Sequence, residues 1–468
     1  MKAVIMAAGE GSRMRSTFDA PAPSKLLLPI LGIPIIERVI LAAKKAGIRE
    51  FIIVTGYRGD AIREHLKDGS HLGVNIRYAE NLQWKKGNAY SLFAARPLIN
   101  PGERFFLLMG DHIFDPSLLS AFSEHITDKI KKSPESEAEQ IYFLAVDSQP
   151  REELDVDEAT KVFSADERIT ELGKKLDNFT GIDSGMFNFH HSIFDILEKE
   201  IEKGDGSLSS ALQPVIGNGN LQAFFFQNYL WQDIDNKNDL EQAKRLLLKS
   251  LSKEKDGAIS RYFNRRLSIP ISAWISRFSI TPNGISVISF CIALFSAFLF
   301  YFRHPLLGGL LAQLASVIDG VDGEIARLKF QESRFGAYFD SILDRYADAA
   351  LIGGITAGCL LSETASPTAV FIAGFLALTA SPFSMLAKEK FANLAGKDYI
   401  PHEQEGLFSY LPVNRDGRLA IIMIGGILNQ LFAILILLAV LSNLQVIIRL
   451  IIARKYFQAN ADYINKNR

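Results

Sequence analysis

Apolar runs fill much of the chain between residues 285 and 455. In their midst the stretch SVIDGVDGEIARLKFQESRFGAYFDSILDRYADAA (316–350) carries Asp319, Asp322, Asp340, Asp344 and Asp348. A carboxylate at the centre of a spanning helix costs roughly 2.5–3.5 kcal/mol, so a fold that keeps five must give them something to hold. Asp319 and Asp322 are three residues apart, while Asp340, Asp344 and Asp348 follow one another at intervals of four. On helices both spacings put carboxylates on one face. The first set ends one apolar run and the second begins the next, so the two helices are expected to meet acidic face to acidic face. Like charges that close repel unless cations sit among them. With no histidine or cysteine nearby, the ligand set is one of hard oxygens, suited to Mg²⁺, Mn²⁺ or Ca²⁺. Gly320, Gly323 and Gly336 remove side chains where a ligand or a facing helix must come close. Arg327 stands where it can meet a phosphate.

Six membrane spans are expected, near 285–302, 306–327, 336–360, 366–386, 417–428 and 430–453. The fifth is short, and the second and third are long enough only with their aspartate ends included. Six crossings return the chain to its starting side, and basic residues then orient it. Arg327, Lys329 and Arg334 join spans two and three; Lys388, Lys390, Lys397, Arg415 and Arg418 join four and five; Arg454 and Lys455 begin the tail. The opposite loops hold little beyond Arg303, His304 and the acidic LLSETASP. The positive-inside rule therefore predicts a multi-pass cell-membrane protein with both termini, the aspartates and the first half of the chain in the cytoplasm. Cys291 and Cys359 both lie in apolar runs and are expected to stay unpaired. Ahead of the spans, DGAISRYFNRRLSIPISAWISRF (256–278) is basic and amphipathic, with Trp274 and Phe278. It reads as a helix in the membrane interface, with a plain linker helix as the alternative.

The first half follows a different pattern. KAVIMAAG (2–9), EFIIVTG (50–56), RFFLLMGD (104–111) and QIYFLAV (140–146) read as buried strands. Helical patterns lie between them at 32–48 and 88–99, and 238–253 looks like a closing helix. Such alternation implies an α/β, doubly wound, mainly parallel sheet of the Rossmann-like kind. The expected organisation is a cytoplasmic domain over 1–250, a linker with the interfacial helix over 251–280, and an all-α membrane domain over 281–468. The opening MKAVIMAAGEGSRM is broken by glycine and charge and is a strand rather than a signal peptide. A formal net charge of −1 gives no bulk signal for nucleic acid. The strand leads into a glycine-rich turn that is no Walker A loop, and the G-x-G-x-x-G pattern fails at Met14. Gly9, Gly11 and Ser12 can still offer N–H groups to phosphates, with Arg13 and Lys25 adding positive charge.

Two resemblances extend this reading. Asp319-Gly-Val-Asp322-Gly323-Glu-Ile-Ala326-Arg327, followed by Gly336-Ala-Tyr-Phe-Asp340-Ser-Ile-Leu-Asp344, resembles the signature of the CDP-alcohol phosphotransferases at every position. The resemblance extends to TPNGIS (281–286). It implies metal ligation by Asp319, Asp322 and Asp340, with Asp344 as the fourth carboxylate and the proton acceptor for the attacking hydroxyl. Gly323, Ala326, Arg327 and Gly336 would line the CDP. In the first half, AAGEGSRM…SKLLLPILGIPIIERVI, GNAYSLFAA and FLLMGDHIF resemble the sugar-phosphate nucleotidyltransferases over residues 1 to about 240. That resemblance implies a nucleoside triphosphate cradled by Ala8, Gly9, Gly11, Ser12, Arg13 and Lys25. It implies metal at Asp111 and at Asp233, with Asp235 beside it as the other candidate. Gly87, Asn88 and Ser91 would touch base and ribose. Lys174 or Lys175, Gly181 and Asp183 would meet the phosphorylated acceptor.

The fusion resembles the family of bifunctional CTP:inositol-1-phosphate cytidylyltransferase and di-myo-inositol-phosphate phosphate synthases over its whole length. This implies CTP and inositol 1-phosphate as substrates, CDP-inositol as intermediate, Mg²⁺ or Mn²⁺ as cofactor, and service in compatible-solute synthesis. A soluble anionic acceptor needs a basic pocket near the aspartates, for which Lys388, Lys390, Arg415, Arg418 and Arg449 are candidates, positive-inside flanking charge being their other reading. A homodimer through the membrane domain is allowed by this reading. Two rivals remain: a phosphotransferase of phospholipid synthesis with a fused nucleotidyltransferase-like domain, and a nucleotide-sensing domain on a transporter.

Overall fold

The computed structural model describes residues 1–468 apart from 12–13, 15–23, 153, 205, 253–258, 363–364, 407, 409–413 and 467–468. The chain forms two compact units, Met1–Leu247 and Leu248–Arg468.

In the first unit the strands are β1 (Lys2–Ala7), β2 (Pro29–Ile30), β3 (Ile33–Pro34), β4 (Glu50–Thr55), β5 (Asn75–Glu80), β6 (Arg104–Met109), β7 (His112–Phe114), β8 (Tyr142–Asp147), β9 (Lys161–Ala165), β10 (Arg168–Gly173), β11 (Gly181–His190), β12 (Leu221–Phe226) and β13 (Trp231–Asp233). Nine of them make one sheet in the order β5-β4-β1-β6-β11-β8-β12-β10-β9, and β7 pairs separately with β13. Strands β5, β4, β1 and β6 are parallel, as the strand–helix alternation predicts. Beyond them the sheet is mixed, because β11 runs antiparallel to β6, β8 and β9, and β10 antiparallel to β9 and β12. Strands β9, β10 and β11 follow one another without an intervening helix, and lacking a crossover they cannot run parallel.

Consecutive residues Ala3, Val4 and Ile5 of β1 are all fully buried, so both faces of the sheet are covered. Helix α1 (Ile35–Lys45) lies where periodicity places it. Helix α2 (Asn88–Phe93) stops earlier than the expected 99 and gives way to a single turn at Arg96–Leu98. Pro97 supplies the reason: its ring would clash with the carbonyl of Phe93, four residues back. Helix α3 (Pro116–Lys132) starts at Asp115, whose carboxylate accepts from the Ser117 N–H at 2.8 Å. Helix α4 (Lys237–Lys249) follows the last strand.

The second unit is helical: α5 (Arg265–Ile275), α6 (Pro282–Tyr301), α7 (Pro305–Leu328), α8 (Arg334–Ser362), α9 (Pro367–Ala395), α10 (Arg415–Ile427) and α11 (Leu431–Lys466). Among the described residues four segments are long and apolar enough to cross a membrane, α6, α7, α9 and residues 431–460 of α11. The other two expected spans exist as helices but fall short of that measure. The first turns of α8 carry the acidic face, and α10 has only 13 residues. Small residues let the helices pack closely. A Cβ on Gly354 or Gly358 of α8 would lie 2.3 Å from the carbonyl oxygens of Ala297 and Phe300 on α6. Large apolar side chains such as Phe295, Phe371 and Leu450 face outward, as lipid contact requires. Helix α5 exposes Leu267 and Trp274, with Phe278 exposed just beyond it. Both cysteines are unpaired.

Candidate active sites

In the first unit the site forms where β1 and β6 end. A Cβ on Gly110 would stand 2.6 Å from the Met6 carbonyl, so only glycine lets the β6 turn pass this close to β1. The turn delivers Asp111 and His112, and β13 pairs Asp233 opposite His112. Lys25, carried on a short turn whose Leu26 N–H donates to the Ser24 hydroxyl, reaches between two carboxylates. Its Nζ lies 2.7 Å from Asp111 Oδ2 and 2.8 Å from Asp235 Oδ1. His112 Nδ1 is 3.0 Å from Asp111 Oδ1 and 3.7 Å from Asp233 Oδ1.

The charges perturb one another strongly. Burial pulls the Lys25 ammonium down, but Asp111 and Asp235 outweigh it and hold the group well above the ordinary lysine range. Burial pushes Asp111 up, yet Lys25 and His112 hold it far below the usual carboxylate range. For His112 burial is again opposed, by Asp233, Asp111 and Asp183, and the imidazole is raised to about 9. Burial lifts Asp233 to about 6, His112 opposing and Asp111 and Asp235 adding to the rise. Asp183 is likewise pushed to about 6 by burial, against the Gly185 N–H that it accepts at 2.7 Å. Asp111, His112 and Asp233 offer ligand atoms that all lie within 4.8 Å of one another. Asp233 is half-exposed as a residue, but its Oδ1 is buried and accepts no hydrogen bond. A buried, unpaired carboxylate oxygen facing two further donors suits a divalent cation.

Of the remaining expected residues, Ala8 is buried at the end of β1, and among the described residues nothing lies within 4 Å of a Cβ placed on Gly9. Gly11 has φ +60, and a Cβ there would press on the Lys25 side chain at 2.9 Å. Ser12 and Arg13 lie outside the described residues. Gly87, with φ +122, sits against the Gly206 backbone just before Asn88 opens α2. The buried Ser91 hydroxyl accepts from the Asn81 amide at 2.8 Å. Gly181 is packed on the Asp147 carbonyl, while Lys174 and Lys175 are exposed in the turn after β10.

In the second unit the acidic faces of α7 and α8 meet as their spacing predicts. Asp319, Asp340 and Asp344 offer oxygens within 4.8 Å of one another. Asp340 Oδ1 is buried without a hydrogen-bond partner, again a donor set fit for a hard cation. Asp322 lies beside Asp340 but turns its carboxylate to the Ser286 hydroxyl and the Gly323 N–H. Arg415, at the start of α10, enters the cluster: its Nη1 is 2.8 Å from Asp344 Oδ1 and also pairs with Asp319. Asp348, outside the signature, is buried and takes Arg418 Nη2 at 2.6 Å and Ser381 Oγ at 2.7 Å.

The glycines divide their roles. Gly320 faces Arg265 and Ser268 of α5, Gly336 packs on Ser333 and Asn283, and Gly323 meets only Arg327. Ala326 is partly exposed, and Arg327 Nη2 reaches the Leu251 carbonyl at 3.4 Å. Among the expected acceptor residues, Arg449 is buried with Glu405 at 2.8 Å and the Ser384 hydroxyl at 2.5 Å. Lys388 lies among Arg449, Glu405 and Arg345. Arg345, which periodicity did not single out, also comes within 3.7 Å of Asp344 and so joins the cationic group to the aspartates. The sequence reading also missed Glu324, fully buried and bound by Arg265, Ser268 and Ser272 at 2.5–2.6 Å. Its place inside the signature was the available signal.

Comparison with known proteins bears on both units. Residues 2–250 match the nucleotidyl transferase family and residues 279–450 the CDP-alcohol phosphatidyltransferase family. A bifunctional IPC transferase and DIPP synthase of Aquifex aeolicus is 32% identical over 460 residues, 97% of this chain and 98% of its own. A protein of the same description from Archaeoglobus fulgidus is 33% identical over 457 residues, 96% of this chain and 84% of its own. The solved inositol-1-phosphate CTP transferase of T. maritima is 31% identical and covers 52% of this chain and 94% of its own, with a TM-score of 0.44.

Proposed function

This chain belongs to the family of bifunctional IPC transferases and DIPP synthases, and from that membership we propose that it performs two consecutive transfers. It is a membrane-associated transferase with a nucleotidyltransferase and a CDP-alcohol phosphotransferase domain. In the first transfer a phosphate oxygen of inositol 1-phosphate attacks the α-phosphorus of CTP, giving CDP-inositol and pyrophosphate. In the second, a hydroxyl of another inositol 1-phosphate attacks the β-phosphorus of CDP-inositol, giving a phosphorylated di-inositol phosphodiester and CMP. The observation that carries this reading is one carboxylate cluster in each unit, each with a buried oxygen that lacks a partner.

In the first transfer the Gly9–Gly11 turn and Lys25 receive the triphosphate, and Gly87 with Asn88 borders the nucleoside. Asp111 and Asp233 hold the metal, while Asp235 fixes Lys25. Gly181 and Asp183, with Lys174 or Lys175, receive the inositol phosphate. In the second transfer Asp319, Asp322 and Asp340 hold metal, and Arg327, Ala326, Gly323 and Gly336 line the CDP. Asp344 takes the proton of the attacking hydroxyl. Lys388, Arg345, Arg415 and Arg449 form the acceptor's phosphate pocket. Bound Mg²⁺ or Mn²⁺ would supply charge stabilisation at the attacked phosphate in both sites.

All six helices α6–α11 cross the membrane in this reading, with α10 shortened and the polar ends of α7 and α8 at the cytoplasmic face. Purified protein with CTP, inositol 1-phosphate and Mg²⁺ should yield pyrophosphate, a transient CDP-inositol and finally a phosphodiester by phosphorus NMR. A lipid product, or no consumption of CTP with inositol 1-phosphate, would overturn the proposal.

A further inference from the structure

We propose that His112 is a third ligand of the divalent cation in the nucleotidyl-transfer site, giving it a nitrogen donor and a preference for Mn²⁺ or Co²⁺ over Mg²⁺. This rests on the reading of Asp111 and Asp233 as metal ligands. Donor atoms about 2.1 Å from an ion and cis to one another stand roughly 3.0 Å apart. His112 Nδ1 already lies 3.0 Å from Asp111 Oδ1 and 3.7 Å from Asp233 Oδ1, close to that geometry. Asp111 divides its oxygens, Oδ2 going to Lys25 at 2.7 Å and Oδ1 facing the imidazole. Asp233 Oδ1 is the buried oxygen without a hydrogen bond. An ion among these three atoms satisfies it and displaces the proton of Nδ1.

The imidazole is also held in the required orientation. Trp231 stacks on it, ring centroids 6.1 Å apart and planes 14° from parallel. The indole is itself fixed, its N–H donating to the buried Asp147 carboxylate at 2.8 Å. On the far edge of the imidazole lies Gly185, where a Cβ would come within 3.0 Å of Cδ2 and Nε2. A ring clamped on one face and on its outer edge keeps Nδ1 aimed at the two carboxylates. Nitrogen in the donor set favours the later divalent metals over Mg²⁺, which is most at home with oxygen.

Among the described residues the membrane cluster is built of aspartates alone, so a nitrogen bonded to the metal reports on the soluble unit even in the full-length protein. Mn²⁺ is titrated into detergent-solubilised protein and electron spin-echo envelope modulation is recorded. We expect the modulation of a directly bonded imidazole nitrogen in the wild type and its loss in His112→Gln. The same variant should bind Mn²⁺ about tenfold more weakly, with a smaller change for Mg²⁺. Bound Mn²⁺ that is reduced by one ion in Asp111→Asn, yet shows no bonded nitrogen in the wild type, would overturn the assignment of His112. If Asp111→Asn leaves the number of bound ions unchanged, the metal reading of the soluble site itself fails.

Discussion

Replacing Asp340 by asparagine isolates what the membrane cluster contributes. Asp340 supplies one of three carboxylates gathered within 4.8 Å, against which the guanidinium of Arg415 is set. Its Oδ1 is buried with no donor, so the charge is not spent on a structural hydrogen bond. Asparagine keeps the shape and removes the charge, and the packing of α7 on α8 should survive. Losing one such group at a charge-stabilising centre slows transfer by a factor on the order of 10³, about 4 kcal/mol in the barrier. CMP release from supplied CDP-inositol should fall by that factor. Pyrophosphate release from CTP should be unchanged, since Lys25, Asp111 and Asp233 belong to the other compact unit. Both are read on one preparation, by coupled CMP and pyrophosphate assays, with thermal unfolding as the control for folding. If Asp340→Asn stops both activities while the protein stays folded, the assignment of two independent sites is wrong.

Asp344→Asn should largely keep metal binding, since Asp319, Asp322 and Asp340 remain, and lose turnover by on the order of 10² or more, the scale of a lost general base; calorimetric metal titration beside CMP release checks this. Lys25→Ala and Asp111→Ala should stop pyrophosphate release and spare CMP release from supplied CDP-inositol. Gly87→Ala places a Cβ 2.2 Å from the Gly206 carbonyl at φ +122 and should destabilise the soluble unit by about 1–3 kcal/mol, visible as a lower first transition in calorimetry. Single cysteines at Ser333 and Ser366, both exposed, in a chain lacking Cys291 and Cys359, test orientation. In intact cells an impermeant thiol reagent should label position 366 and spare position 333, and the reverse would place the aspartates outside.

The membrane aspartates were legible in the sequence because spacings of three and four fix a helical face, and a carboxylate at that depth needs a partner. What spacing could not give was the partner from a distant helix. Arg415 reaches Asp319 and Asp344 across a long stretch of chain, and its nearness to other basic residues made it read equally well as flanking charge. Asp348 shows the same limit, since only the packing of α10 and α9 on α8 reveals Arg418 and Ser381 as its partners. In the soluble half, the parallel strands β4, β1 and β6 follow from their apolar runs. The direction of β11 does not, because a ten-residue strand buried on both faces looks the same in either sense. Asp233 and Asp235 were indistinguishable in sequence. The structure separates them: Asp233, the last residue of β13, lies by His112, and Asp235, beyond the strand, pairs with Lys25.

The two sites answer one electrostatic problem in two settings. Each gathers carboxylates that would repel one another, and each sets a long cationic side chain between two of them. In the soluble unit this is Lys25 between Asp111 and Asp235, and in the membrane unit it is Arg415 between Asp319 and Asp344. A cation so placed lowers the repulsion without occupying every oxygen, and in each cluster one buried oxygen is left without a partner. The difference lies in surroundings. Lys25 is a compact charge on a short turn, suited to a triphosphate that arrives and leaves as pyrophosphate. Arg415 is a planar donor at a helix start among helices, suited to bridging fixed carboxylates and a phosphate together. Joining the sites in one chain raises the local concentration of the intermediate passing between them. A CDP-polyol is charged and cannot cross the bilayer unaided, so this advantage exists only if both sites open to the side where CTP is found. The clustering of basic residues at the ends of α7, α8, α9 and α10 is the charge pattern that such an arrangement requires.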